Sequence, residues 1–161
     1  MSNEVHTIPP FFTESSRILI LGSFPSVKSR EEGFFYAHRM NRFWPILSNI
    51  TGMEANTIEE RKTLLKEKGI ALFDVIGSCS IEGSSDAKIS NVIPNDLSII
   101  FDSADIKAIF CNGAKSYSLY RRYDESKFGK AILLPSTSPA NAAYSIDRLL
   151  ESWIGIAKYI K

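Results

Sequence analysis

The chain has 161 residues, of which 44% are hydrophobic and 23% charged, with a net charge of +1. That is the composition of one soluble domain with a sizeable core. It excludes a chain made basic throughout for nucleic acid, a task for which a local patch suffices. Two cysteines (Cys79, Cys111) and two histidines (His6, His38) are too few for an iron–sulfur cluster or a closed zinc site, so no metal and no cofactor is expected. A signal-peptide pattern and a long apolar run are both missing, which leads us to expect a cytoplasmic protein with no membrane partner.

Residues 1–16 read as a loosely ordered arm, with Pro9-Pro10 and Phe11-Phe12 docking on a single domain over 17–161. Apolar runs at 17–22, 70–76, 106–112 and 131–134 are continuous rather than alternating, the pattern of strands buried on both faces. Helices fit between them. Over 41–50, Phe43, Ile46, Leu47 and Ile50 recur at helical spacing. Thr57-Ile58-Glu59-Glu60 is a capping box and Gly69 a C-terminal stop. Pro94 or Asn95 starts a helix carrying Leu97, Ile100 and Phe101, and a further one covers 115–123. Ser138-Pro139 caps and opens a last helix that runs to Lys161, with Leu149, Trp153 and Ile154 on its inner stripe. Strands alternating with helices predict an α/β protein, a three-layer α/β/α sandwich around a central four-stranded, mainly parallel sheet. Cys111 reads as a buried strand thiol, whereas Cys79 falls in a loop open to solvent.

Two hydroxyl-rich turns follow the first and last of these runs. They are Gly22-Ser23-Phe24-Pro25-Ser26 and Pro135-Ser136-Thr137-Ser138-Pro139-Ala140-Asn141. Ligands of open parallel sheets bind outside the carboxyl ends of the strands, so the two turns are expected to build one site. The first is neither a phosphate loop nor an esterase elbow, since it lacks both glycine patterns. The connection from Ser23 to Met40 is long for a βα loop, and such loops are often functional. Its Phe34, Phe35, Tyr36 and His38 suit a planar ligand, or else one phenylalanine simply plugs the loop onto the core while Tyr36 or its neighbour stacks.

Gly-Ser-Phe-Pro-Ser, Tyr36-Ala37-His38-Arg39-Met40-Asn41-Arg42-Phe43-Trp44 and Ser136-Thr137-Ser138-Pro139-Ala140-Asn141 together resemble the uracil-DNA glycosylase superfamily. The Ala-His-x-x-Asn-Arg-Phe-Trp stretch is similar to mismatch-specific uracil-DNA glycosylases. The two turns, with Ala71-Leu72-Phe73-Asp74-Val75 and Gly83-Ser84-Ser85-Asp86, resemble the hypoxanthine-DNA (deoxyinosine) glycosylase branch. The resemblance covers about 17–141. It implies a four-stranded parallel sheet and an enzyme that flips a damaged base from DNA and hydrolyses its bond to the sugar.

By the same resemblance, Phe24 stands where many relatives carry a water-positioning Asp or Asn, and the catalytic amide of the hypoxanthine branch falls on Asn41. Asn41 is equally well placed as a helix N-cap. Gly22, Ser23 and Phe24 would contact base or sugar through their backbone, and Tyr36 would stack on the base. His38 would touch base or phosphate, or else only hold its loop. Ser136, Thr137, Ser138, Pro139, Ala140 and Asn141 would grip the flanking phosphates. Relatives place a leucine or arginine wedge in that last loop, where this chain has Ser138, Ala140 and Asn141. Lys28, Arg30, Arg39 and Arg42 are either a local basic patch or solvated charges. No lysine falls in the matching motifs, so strand-nicking lyase chemistry is not expected. The partner implied is DNA with a damaged base, met by a monomer. A uracil or mismatch glycosylase, or a catalytically silent module binding damaged DNA or a nucleotide, are the alternatives.

Overall fold

Four consecutive apolar side chains and a glycine give β2 (Ile18–Gly22) no polar face, and all five residues are buried. A computed structural model, which describes residues 2–82 and 88–161, places it inside a four-stranded sheet. The quoted Gly83-Ser84-Ser85-Asp86 stretch lies outside the described residues. β3 (Ile70–Asp74), β2, β6 (Ala108–Asn112) and β7 (Ile132–Leu134) lie in that order and all pair in parallel. β3 is buried throughout, but β7 is an edge strand whose Ile132 and Leu133 are exposed. The expectation of burial on both faces therefore holds for the inner strands and fails at that edge.

The architecture is the expected three-layer α/β/α sandwich. α2 (Phe43–Thr51), α3 (Ile58–Lys68) and α7 (Ile146–Trp153) pack together, and α5 (Ala114–Tyr123) lies against β6. α3 begins at the capping box read from Thr57 and Glu60 and stops at Gly69, which sits at φ 73°. α4 (Ser98–Ser103) and α6 (Glu125–Phe128) are tied by the stacked rings of Phe101 and Phe128, 4.3 Å apart. A six-residue α1 (Val27–Glu32) follows the first turn, capped by Ser26.

Several expectations need correction. The start of the N-terminal arm is ordered as β1 (Ser2–Val5), which pairs antiparallel with β4 (Ile76–Ile81). β5 (Ser90–Pro94) completes this second, three-stranded sheet. The run at 70–76 is thus two strands that bend at Val75, where the Val75 and Ile76 amides bond to the carbonyls of Gly22 and Ser23. Phe11 does dock, exchanging backbone bonds with Leu72. Cys79 lies in β4 and is buried, not in an open loop. The last helix starts at Ile146 behind the Ser145 cap, not at Ser138-Pro139, and passes at Ile154 into a 3-10 helix that ends at Lys158. Over 138–144 the chain instead forms turns, in which the Ser138 and Asn141 carbonyls accept the Asn141 and Tyr144 amides, and Arg42 donates to the carbonyls of Ser138, Asn141 and Tyr144.

Away from these turns, Asp124 is only 3% exposed between α5 and α6. Burial pushes its carboxyl from 3.8 up to about 6, with Lys127 opposing and Asp96 adding to the rise. A folded-state value above the unfolded one means stability is complete below the unfolded value and falls as pH rises from about 4 to about 6. Asp124→Asn is therefore expected to be more stable than the parent at pH 7 by about 2 kcal/mol, with the gain absent near pH 3. Urea unfolding at the two pH values checks this.

Candidate active site

The carboxyl ends of β2, β3, β6 and β7 surround a cleft of about 870 Å³, a size in the range of small-molecule sites. Gly22, Ser23 and Phe24 line it from the first turn, and Ser136, Thr137, Ser138, Ala140 and Asn141 from the last. Tyr36 and Asn41 reach it from the long loop between them. His38 and Pro139 do not line it.

The long loop meets the last turn through Asn41. Its Oδ1 accepts from the Phe43 amide at 2.9 Å and from the Thr137 hydroxyl at 2.8 Å; the N-cap of α2 is Arg42, so Asn41 stands one residue ahead of the cap position expected for it. Thr137, fully buried, is held in turn by Asn112, whose Nδ2 donates to the Thr137 hydroxyl at 3.0 Å and whose Oδ1 accepts the Thr137 amide at 3.0 Å. The amide of Phe43 can only donate, so the atom facing it must be oxygen, and this fixes which way the Asn41 carboxamide points. Both lone pairs of Oδ1 are then occupied. What Asn41 has left to offer the cleft is its NH2 group, a donor.

The neighbouring residues hold this arrangement. His38 is exposed; its Nδ1 accepts the Met40 amide at 3.1 Å and its carbonyl the Asn41 amide at 2.9 Å, so it shapes the turn that delivers Asn41. With Tyr36 and Asn41 it borders a second, smaller hollow of about 260 Å³ beside the cleft. Tyr36 sits at φ 54°, a left-handed conformation uncommon outside glycine, and its ring stacks on Phe43 at 4.0 Å. Phe34 and Phe35 are both buried, and Trp44 donates to the Phe35 carbonyl at 3.0 Å. Phe24 is 9% exposed, packed edge-on to His6 and beneath the Arg30 guanidinium.

Three of the four cations named as a patch have other partners. Lys28 pairs with Glu32 at 3.4 Å and Arg30 with Glu4 at 2.9 Å. Arg42 directs its guanidinium at the last turn: Nη2 donates to Ser138 at 2.8 Å and Asn141 at 3.0 Å, and Nη1 donates to Tyr144. Its backbone amide bonds the Thr137 carbonyl at 3.0 Å. Arg39 is exposed. Lys115, in the first turn of α5, is the cation that lines the cleft.

Sequence reasoning passed over Asn112, Lys115, His6 and the site placement of Asp74. Asp74 and Asn112 end β3 and β6, so the strand-end rule that singled out the two turns was signal enough for both. His6 gave none, because its partner Asp74 is 68 residues away.

Residues 9–153 match the family model of the uracil DNA glycosylase superfamily. The chain belongs to that superfamily. A hypoxanthine DNA glycosylase of Methanosarcina barkeri (strain Fusaro / DSM 804) is 38% identical over 111 residues, covering 67% of this chain and 70% of that protein. A hypoxanthine DNA glycosylase of Methanosarcina acetivorans is 29% identical over 153 residues, covering 94% and 96%. The solution NMR structure of a candidate uracil DNA glycosylase from Methanosarcina acetivorans superposes with a TM-score of 0.80 at 31% identity, over 95% of this chain and 96% of that one. The superfamily resemblance read from the turns is thereby borne out. The cleft that those turns enclose is the superfamily member's candidate active site.

Proposed function

We propose that this protein is a monofunctional DNA glycosylase that flips a deaminated base, hypoxanthine first among them, and hydrolyses its N-glycosidic bond. The observation that carries this reading is Asn41 where the long loop meets the last turn, its NH2 group left over for the cleft. The names of the two relatives support it, as does the superfamily match.

As the bond between the sugar and N9 of the base lengthens, its electron pair leaves with the base and positive charge grows on the sugar. Asn41 donates a hydrogen bond to the attacking water, which keeps a lone pair aimed at the anomeric carbon. The water oxygen bonds to that carbon and releases a proton, and the departing base takes one up, so base and sugar hydroxyl are the products. Groups preorganised for charge that develops only in the transition state supply the acceleration. Phe24 cannot polarise water, so the first turn serves as scaffold and backbone donor. Tyr36 stacks on the base. Ser136 and Ser138, with Lys115 across the cleft, hold the flanking phosphates. Extrusion costs least for a poorly paired base, which favours deamination products over normal pairs.

Duplexes carrying hypoxanthine, uracil or ethenocytosine test the reading. Hypoxanthine is expected to be removed fastest, leaving an abasic site that breaks only on alkali treatment. Faster removal of uracil would shift the substrate to the uracil and mismatch enzymes. Binding without any excision would make the protein a silent damage-binding module.

A further inference from the structure

Asp74 ends β3 with its side chain only 5% exposed, yet it lines the large cleft. Its Oδ2 accepts a hydrogen bond from His6 Nε2 at 2.7 Å. An ionised carboxylate only accepts, so Nε2 is the protonated nitrogen of His6 in this pair. Aromatic rings of Phe24, Phe35 and Phe73 surround the imidazole at 5.9, 6.4 and 5.1 Å between centroids. The other oxygen, Oδ1, stands over Gly22, where an added Cβ would collide with it and crowd the Tyr36 hydroxyl at 3.1 Å. Gly22 and Tyr36 line the cleft and His6 does not, so Oδ1 is the oxygen on the cleft side. Only glycine at position 22 leaves that carboxylate its place.

His6 reaches this position through the second sheet. β1 pairs with β4, the His6 amide donates to the Gly77 carbonyl at 2.7 Å, and Glu4 is tied to Arg30. The superfamily match begins at residue 9, so the histidine that holds the carboxylate comes from ahead of the matched region. Asn95 steadies the other end by donating to the carbonyls of Asp74 and Ile76 at 2.9 and 3.0 Å.

Deamination replaces an exocyclic amine by a carbonyl and turns the adjacent ring nitrogen from a bare acceptor into an N–H donor. A fixed carboxylate oxygen accepts from that N–H and repels the lone pair of adenine or cytosine at the same place. We propose that His6 is a positioning residue that aims Asp74 Oδ1 into the cleft, where it accepts the ring N–H beside the carbonyl of the flipped base. The inference rests on the glycosylase reading and adds to it the means by which a deaminated base is told from its parent. A site built around such a bond rejects analogues that lack the donor far more strongly than a purely apolar pocket can.

The test uses the full chain and two duplexes, one with hypoxanthine and one with 1-deazahypoxanthine, in which C–H replaces the ring N–H. Single-turnover excision rates are measured for the parent, His6→Phe, His6→Gln and Asp74→Asn. Phenylalanine keeps the ring among its aromatic neighbours but cannot donate, whereas glutamine can place an N–H near the position of Nε2. His6→Phe is expected to slow hypoxanthine removal by about 10- to 100-fold, as the loss of a hydrogen bond to a charged group should. It leaves the slow 1-deaza rate unchanged, so the ratio of the two rates collapses. His6→Gln restores the ratio, and Asp74→Asn reproduces the collapse without touching His6. Equal slowing of both substrates by His6→Phe would mean a structural role only, and unchanged rates would mean no role; either overturns this inference while hypoxanthine removal by the parent leaves the glycosylase reading standing. If the parent removes no hypoxanthine, the glycosylase reading fails, and this inference with it.

Discussion

Asn41→Ala is expected to lower the single-turnover rate of base excision by about 100- to 1000-fold, the usual cost of deleting one donor aimed at a transition state. Binding to the same duplex, measured by anisotropy, should change by less than about tenfold, because the phosphates are held elsewhere. Alanine also leaves the Phe43 amide and the Thr137 hydroxyl without their acceptor, so about 1 kcal/mol of stability goes with it. Asn41→Asp separates the two effects. A carboxylate can still accept from Phe43 and Thr137 and so preserves the join between the long loop and the last turn, but it has no N–H to give the water. A rate as low as that of the alanine variant, with stability restored, assigns the function to the NH2 group. Excision unchanged in both variants would remove Asn41 from the mechanism.

The second large effect is at Arg42. Its side chain and amide together bond four carbonyls in and just after the last turn, those of Thr137, Ser138, Asn141 and Tyr144. Arg42→Ala leaves the side chain's acceptors to find water and frees the chain from 138 to 144 to move. A loss of about 2–3 kcal/mol in unfolding free energy is expected, with excision falling by at least about 100-fold as the turn leaves its place. Arg42→Lys should recover little of either, since an ammonium is a point charge that cannot reproduce the planar fork. Denaturant unfolding and excision kinetics on the same samples check both halves. A variant that keeps its stability and loses only affinity in a salt-dependent way would instead mark Arg42 as a surface phosphate contact.

The parallel sheet was legible because each of its strands is a short apolar run between turn residues, and because a parallel sheet buries the inner ones on both faces. The antiparallel sheet was not. β4 mixes Gly77, Ser78 and Ser80 with Ile76 and Ile81, and its partner β1 lies some 75 residues earlier in the chain. Asn41 stood out through the residues beside it, but the relay from Asn112 through Thr137 is made of contacts 25 and 96 residues apart, which no local pattern records. Arg42 was read as one of several loop cations. The carbonyls that engage it lie about 100 residues downstream, and backbone acceptors have no signature in side-chain sequence. Ser138-Pro139 is a sound helix start judged locally, but the chain there forms turns whose carbonyls that same arginine engages.

None of the ion pairs among the described residues involves Arg42. Its charge is met by neutral carbonyl dipoles, so it is solvated without being cancelled. A full positive charge therefore sits beneath the turn proposed to meet the phosphates, partly shielded from mobile ions by that turn. Added salt weakens the pull of an exposed lysine far more than that of a partly buried charge. On the proposed reading, a protein of net charge +1 thus holds beneath its DNA-facing loop a charge that added salt screens only in part.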